Sequence, residues 1–202
     1  MLRNYLKTAW RNILKQKGYS LINLSGLAIG MACCLLILLF VQDEMSYDRH
    51  HENAERIYRV VSDAEIGGSQ SQLAYCPFAA PKTFAEEIPE VESYVRILRI
   101  GRRQIIEYQE QSFEEEGIFL TDSTFFNIFT HTFLEGTPDS VLEEPGAVIL
   151  TKDTARRLFG DEYAVGKILT FAPVGELHVT GIIQNVPRSS HFHFNYLISF
   201  NR

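Results

Sequence analysis

The histidines are the residues whose type and spacing first suggest chemistry in this chain. His51 and Glu55 lie four positions apart, the spacing of one helical face, and His191 and His193 lie two apart, the spacing of one strand face. A zinc-protease helix needs a second histidine where Glu55 stands, and a zinc site needs three or four ligands. Because each pair supplies two ligands, we predict no metal site.

The other candidate motifs are incomplete. Five residues separate Gly160 from Gly166-Lys167, where a phosphate-binding loop has four, and Ile168 stands where that loop has Ser or Thr. The stretch at Gly67-Gly68-Ser69 does not match the G-x-S-x-G of a nucleophile elbow. The acidic run at 114–116 is predicted to be a solvated face or a turn. We therefore predict no catalytic residues, no cofactor and no enzyme activity.

An apolar run at residues 21–41 (LINLSGLAIGMACCLLILLFV) organises the chain. It has no charged residue and suffices to cross a bilayer, which takes about 20 apolar residues as a helix. A cleaved signal peptide and a lipoprotein signal at Cys33 are the alternatives. The run exceeds the apolar region of a signal and continues eight residues past Cys33. We therefore predict a transmembrane helix.

Charge is distributed unevenly around this run. Residues 1–20 hold five basic residues and no acidic one, whereas the part after the run holds 14 basic and 25 acidic residues. Basic residues beside a span are retained in the cytoplasm, so we predict a cytoplasmic N-terminus and a periplasmic domain at the inner membrane. An acidic outer domain argues against nucleic acid as a partner.

Residues 2–16 are predicted to form an amphipathic helix in the membrane interface. Apolar residues recur at helical spacing on one face, and basic residues recur every four positions on another. Such helices lie at the headgroup level with their aromatic and basic residues as anchors. Membrane lipid is the predicted partner, and the predicted anchors are Arg3, Tyr5, Lys7, Trp10 and Arg11.

Small residues within the apolar run indicate helix packing. Gly26 and Gly30 form a GxxxG pattern, and Ala28 and Ala32 repeat its spacing on another face. Small residues let transmembrane helices approach closely. A second copy of the chain, or transmembrane helices elsewhere, is therefore the predicted partner.

Strands and short helices intermix irregularly after the apolar run, which favours an α+β fold over a doubly wound sheet. We predict an interfacial helix at 1–18, a transmembrane helix at 19–43 and an extracytoplasmic domain at 46–202. Expected helices cover 48–56, 81–87, a short segment ending at Phe129, and 152–159. Expected strands cover 57–63, 91–100, 104–109, 111–120, 147–150, 168–172, 177–184 and 196–200, and the second and third of these are expected to pair through a turn at Gly101.

Six stretches follow one another in an order that carries a family resemblance. They are NYLKTAWRNILKQKGYSLINLSGLAIGMACCLLILLFVQDEMSYDRHH, ENAERIYRV, IPEVESYVRI, DSTFFNIFTHTFLEGTP, AVILTKDTARRLFGDEYAVGKILTF and VTGIIQNVPRSSHFHFNYLISF. Together they resemble the N-terminal part of the permease subunits of MacB/FtsX-like ABC transporters, in the form common in Bacteroidetes.

The resemblance implies a cytoplasmic interfacial helix, a first transmembrane helix and a MacB-like periplasmic core domain. It implies that a separate ABC-type ATPase subunit hydrolyses ATP and that a permease dimer conveys the motion to outer domains that act in efflux. Members of the family continue into three more transmembrane helices, so it also implies that this chain is incomplete at its C-terminal end.

Two other classes of function remain open on the residues alone. A single-pass sensor would have only about 18 residues inside the cell, so it would need a partner to signal. An anchored extracellular hydrolase would need a catalytic site assembled from distant residues.

Overall fold

The structure, a computed structural model, describes residues 2–138 and 141–200. The chain divides into two compact units, residues 1–47 and residues 48–202. Two helices make up the first unit. A large mixed β-sheet with short helices makes up the second.

The helices of the first unit are α1, Leu2–Lys15, and α2, Lys17–Glu44, with Gln16 between them. The sequence accounts for α2 because its 28 residues contain no proline and include the uncharged apolar run at 21–41. Within the described residues, α2 is the one helix that is long and apolar enough to cross a membrane, by length and composition. None of its residues is buried.

Eleven strands and three α-helices are described in the second unit. The helices are α3 Ala80–Glu87, α4 Phe125–Ile128 and α5 Lys152–Phe159. The strands are β1 Ser62–Ile66, β2 Ser69–Leu73, β3 Ile97–Ile100, β4 Gln104–Tyr108, β5 Gln111–Glu115, β6 Ile118–Thr121, β7 Phe133–Glu135, β8 Ala147–Thr151, β9 Ile168–Phe171, β10 Gly175–Ile183 and β11 Tyr196–Ser199.

Nine of these strands form one sheet in the order β3-β6-β11-β8-β10-β9-β4-β5, with β7 also paired to β10. The pairs β8–β10 and β6–β11 are parallel and the others are antiparallel. Strands β1 and β2 form a separate antiparallel hairpin. A mixed sheet with short helices is an α+β arrangement, so the predicted fold class is confirmed.

Strand β8 lies at the centre of the sheet and is buried along its whole length. Its alternate residues pack on opposite faces, because successive side chains of a strand point to opposite sides. Val148 and Leu150 pack in a cluster with Leu158 of α5. Ile149 packs in a second cluster with Phe125 of α4. Apolar side chains therefore cover this part of the sheet on both faces.

Several predicted elements are confirmed. Helix α5 has the predicted bounds, and Gly160 ends it with a positive φ of 67°. Helix α3 begins one residue before the predicted position. Strand β8, strand β11 and the hairpin of β9 with β10 also lie close to their predicted positions.

Other predictions were wrong. Residues 48–56 form turns and one 3₁₀ turn at Ala54–Arg56 rather than a helix. The strand expected at 57–63 begins only at Ser62, as β1, and residues 57–61 are not part of a strand. The strand expected at 91–100 is only β3, and it pairs with β6 rather than with β4. The strand expected at 111–120 is split into β5 and β6 at Gly117, whose φ of 72° cannot continue a strand.

Candidate functional site

The second unit begins with a polar segment that is fixed to a later loop. The backbone N–H of Asp48 donates to the carbonyl oxygen of Ser189 at 2.8 Å. The Asp48 carboxylate accepts the His191 backbone N–H at 3.0 Å, and its other oxygen lies 2.5 Å from the His191 Nδ1. Asp48 makes these three contacts from a turn in which its φ is 56°, an unusual value for a residue other than glycine.

His51 is the buried centre of this region, with 4% of its surface exposed. Its Nδ1 accepts the backbone N–H of Thr130 at 3.1 Å, and the backbone N–H of Glu52 donates to the Thr130 Oγ1 at 3.0 Å. The His51 ring centroid lies 4.0 Å from that of His50, 5.1 Å from Phe129 and 5.9 Å from His131. We call the following residues the histidine cluster: Asp48, His50, His51, His131 and His191.

Burial sets the protonation of this cluster. Burial, with the charges of His51 and His50, lowers the pKa of His131 to about 4. Burial also lowers the pKa of His51, and the charge of His50 adds to this effect although Asp48 opposes it. Burial alone would raise the pKa of Asp48, but its hydrogen bonds with His191 outweigh burial and lower it. Near neutral pH the cluster therefore combines an ionised carboxylate with neutral His51 and His131.

The histidine pairs considered from the sequence are not arranged as predicted. His51 lies in a turn, so it does not share an α-helical face with Glu55. Residues 184–195 contain no strand, so His191 and His193 do not share a strand face. The turn after α2 instead brings Asp48, His50 and His51 together, with one ligand-type atom from each within 4.8 Å of the others. Spacing rules for helices and strands could not find a cluster that an irregular turn builds.

Two open pockets lie on the second unit. The larger, with a volume of about 560 Å³, is apolar and is lined by residues that include Leu98, Leu120 and Phe200. The smaller, of about 390 Å³, is polar and has Arg99 and His193 among its lining residues. His193, one of the residues singled out from the sequence for metal chemistry, therefore lines a pocket.

The prediction that the acidic run at 114–116 is solvated is wrong for Glu115. Its side chain is 5% exposed and accepts two hydrogen bonds from the Arg157 guanidinium, at 3.0 and 2.5 Å. Burial beside Glu115 raises the pKa of the Tyr196 hydroxyl. Alternation along β5 is the signal that places Glu115 on the inner face with Phe113, which also packs on the core.

The residues predicted to meet the membrane all lie in the first unit. Gly26, Ala28, Gly30 and Ala32 are exposed on α2, and apart from the adjoining backbone of α2 no described atom would lie within 4 Å of a Cβ at Gly26 or Gly30. The predicted anchors Tyr5, Lys7, Trp10 and Arg11 are exposed on α1, which also contains Arg3.

Together these features define a class: a mixed α+β domain that follows one helix long and apolar enough to span a membrane. The chain belongs to the family of the MacB-like periplasmic core domain, whose model matches residues 20–202. The predicted MacB-like periplasmic core domain is thereby confirmed. A comparison with curated proteins finds no match.

The fold is similar to that of a crystal structure of a domain assigned to a permease protein from Porphyromonas gingivalis. The two share 19% identity with a TM-score of 0.57, over 69% of this chain and 60% of the other. This chain therefore spans less than two thirds of that domain. A likeness at this identity supports the fold alone.

Two further structures overlap with the chain less closely. The periplasmic region of MacB from Actinobacillus actinomycetemcomitans shares 17% identity at a TM-score of 0.43, over 60% of this chain and 54% of that one. The extracellular domain of the noncanonic ABC-type transporter YknZ from Gram-positive bacteria shares 21% identity at a TM-score of 0.38, over 52% of this chain and 54% of that one. Both overlaps are too loose to carry an argument about this chain.

Proposed function

We propose that this chain forms the N-terminal part of the permease subunit of an ABC transporter that exports its substrate. A separate ABC-type ATPase subunit hydrolyses ATP, and the permease passes the resulting motion to the domain outside the membrane. The observation that carries the proposal is the single family match over residues 20–202, which joins most of α2 and the whole β-sheet domain in one unit.

The proposed topology places the N-terminus in the cytoplasm and residues 48–202 in the periplasm, at the inner membrane. The five basic residues before the apolar run support this orientation. Alkaline phosphatase fused after Arg202 should be active on a full-size product in the inner-membrane fraction, and a cytoplasm-only fluorescent protein at the same position should be dark. Fluorescence with inactive phosphatase would contradict the topology, and a shortened soluble product would identify a cleaved signal.

The proposed ATPase partner is tested by co-purification. The complete gene product that contains this chain is tagged, extracted in mild detergent and analysed by mass spectrometry for subunits with phosphate-binding loops. Residues 48–202, expressed alone with the same tag, provide the control. Recovery of an ABC-type ATPase with the complete product supports coupling, and its absence from that sample would contradict coupling.

We propose that α1 lies in the membrane interface and that Trp10 reports its depth. Trp10 is the only tryptophan of the chain and is 64% exposed in the structure, so its fluorescence is specific to α1. In vesicles that contain brominated lipids, quenching should be strongest when bromine lies near the headgroups. Fluorescence that no bromine position quenches would contradict an interfacial helix.

We propose that the small residues of α2 pack against another transmembrane helix. Paired substitutions Gly26→Leu with Gly30→Leu, and separately Ala28→Leu with Ala32→Leu, fill the two small-residue faces. If a second copy of the chain is the partner, one pair should reduce co-precipitation of two differently tagged copies from membranes. Leu27→Ile is the control. If co-precipitation survives both pairs, self-association through these faces is contradicted.

A further inference from the structure

Three side chains near the start of the second unit could share one ion. Asp48, His50 and His51 each offer one ligand-type atom, and these atoms all lie within 4.8 Å of one another. A carboxylate oxygen with two imidazole nitrogens is a common ligand set for a divalent transition metal, and zinc in particular. Magnesium and calcium prefer sets made of oxygen atoms alone.

The imidazoles of this group carry buried nitrogen atoms with no hydrogen-bond partner among the described residues. They are both ring nitrogens of His50 and the Nε2 of His51. His51 itself is almost wholly buried, with an exposure of 4%. Buried polar atoms are nearly always satisfied in native proteins, and an ion is one of the partners that satisfy them.

Surrounding contacts hold two of these side chains in place. His191 bonds to the Asp48 carboxylate, and in the ion-free protein the backbone N–H of Thr130 donates to the His51 Nδ1. A further imidazole ring, that of His131, has its centroid 5.9 Å from that of His51. Polar contacts of this kind around ligand side chains orient them and tune their affinity in metal sites.

We propose that Asp48, His50 and His51 bind one divalent transition-metal ion of the zinc type. Three protein ligands leave at least one coordination position for water. A neutral His51 that accepts a hydrogen bond at Nδ1 carries its proton on Nε2. Coordination through Nε2 therefore moves this proton to Nδ1, and a metal–nitrogen bond replaces the hydrogen bond from Thr130.

The ion would join side chains of one turn, since its three ligands lie within the first four residues of the second unit. This turn already bonds to Ser189 and His191 of a later loop. In a MacB-like permease domain, a metal here would stiffen the point where the chain enters the β-sheet domain after α2. Its binding can be measured without the ATPase, so failure of the ion site and failure of the proposed transport function are distinguishable.

The test is calorimetric titration of the full 202-residue chain with zinc chloride. The chain is purified in detergent without a histidine tag and is stripped with a chelator. We expect one zinc ion per chain, and we expect His50→Phe and His51→Phe each to weaken binding about tenfold or more. Magnesium chloride should give no binding isotherm. His178→Phe is the matched control, because His178 is exposed on β10.

Phenylalanine fills nearly the volume of histidine and has no ligand atom. Without metal, His50→Phe should therefore leave the thermal midpoint of the domain unchanged or raise it, since it removes unsatisfied nitrogens. A folded His50→Phe variant that binds zinc like the wild type would overturn the site. Wild-type protein that binds no zinc, or equal loss in His178→Phe, would overturn it as well.

Discussion

Glu115 depends on one partner for its burial. Arg157 forms two hydrogen bonds with its carboxylate, so Arg157→Ala leaves a buried acid without its cation. We expect a loss of about 1–3 kcal/mol in the free energy of unfolding, measured with urea. Arg103→Ala removes the exposed pair with Glu114 and should cost about 0.5 kcal/mol or less. Equal losses in both variants would show that burial of Glu115 does not matter.

Gly136 occupies a position where only glycine fits. Its φ is 83°, and a Cβ there would lie 2.6 Å from the Thr180 carbonyl oxygen. We expect Gly136→Ala to lower the free energy of unfolding by about 2 kcal/mol or more, since a strained backbone and a clash combine. Gly101→Ala is the control, because Gly101 has neither positive φ nor a neighbour within 4 Å. A tolerated Gly136→Ala would refute the close approach to β10.

His131 should make the metal-free domain sensitive to acid. Its pKa is about 4 in the folded protein, against 6.5 for an unperturbed histidine side chain. Between these values the unfolded chain binds a proton that the folded chain does not, so stability is full above pH 6.5 and falls as the pH drops towards 4. In a chelator at about pH 5, the loss from His131 is about 2 kcal/mol relative to about pH 8.

Urea unfolding of wild type and His131→Phe at both pH values measures this effect. The variant should lose less stability on acidification than the wild type, because it has no imidazole at this position to protonate. The acidic loss that remains reports the other groups that titrate between these two pH values, and His51, whose pKa is also lowered from 6.5, is one of them. Identical pH profiles would contradict the low pKa of His131.

At the scale of elements, the β1–β2 hairpin should be the least stable sheet in the second unit. It has two strands and no pairing with the nine-stranded sheet, and isolated two-stranded hairpins are marginally stable in water. Amide hydrogen exchange should therefore be faster in Ser62–Ile66 and Ser69–Leu73 than in Ala147–Thr151, the buried central strand. Equal protection would mean that another part of the protein covers the hairpin.

Elements whose formation depends on neighbouring residues could be predicted from the sequence. Helix α5 has a Thr before it and a Gly after it, and β9 with β10 close a short hairpin. Strand β3 could not be predicted in this way, because its partner β6 lies about 20 residues away, beyond the β4–β5 hairpin. A turn signal at Gly101 favoured the wrong partner because it reports only local geometry.

The candidate ion site could not be predicted from the sequence for a related reason. Asp48, His50 and His51 are neighbours in the chain, but their ligand atoms converge because residues 48–51 form a turn rather than the predicted helix. His191 joins the cluster across 143 positions. Family motifs were easier to recognise, since their order along the chain carries information that no single spacing does.

At the scale of the whole molecule, the distribution of charge divides the chain more clearly than its net charge of −6 does. The charged residues before the apolar run are all basic, whereas the part after the run has more acidic than basic residues. Arg49, Arg56 and Arg59 nevertheless lie soon after α2, close enough to compete in orienting the helix. Orientation should therefore depend on the N-terminal basic residues rather than on overall charge.

Removing those basic residues should reverse or scramble the topology. The substitutions replace five residues with glutamine: Arg3, Lys7, Arg11, Lys15 and Lys17. Without these five residues, the three arginines after α2 become the stronger cytoplasmic signal. Phosphatase activity of the fusion after Arg202 should therefore fall severalfold, and fluorescence of the matched fusion should rise. A control exchanges Arg and Lys at the same five positions, which keeps the charge and should keep the wild-type signals. Unchanged phosphatase activity in the glutamine variant would mean that translocation of the folded domain, and not basic charge, sets the orientation of α2.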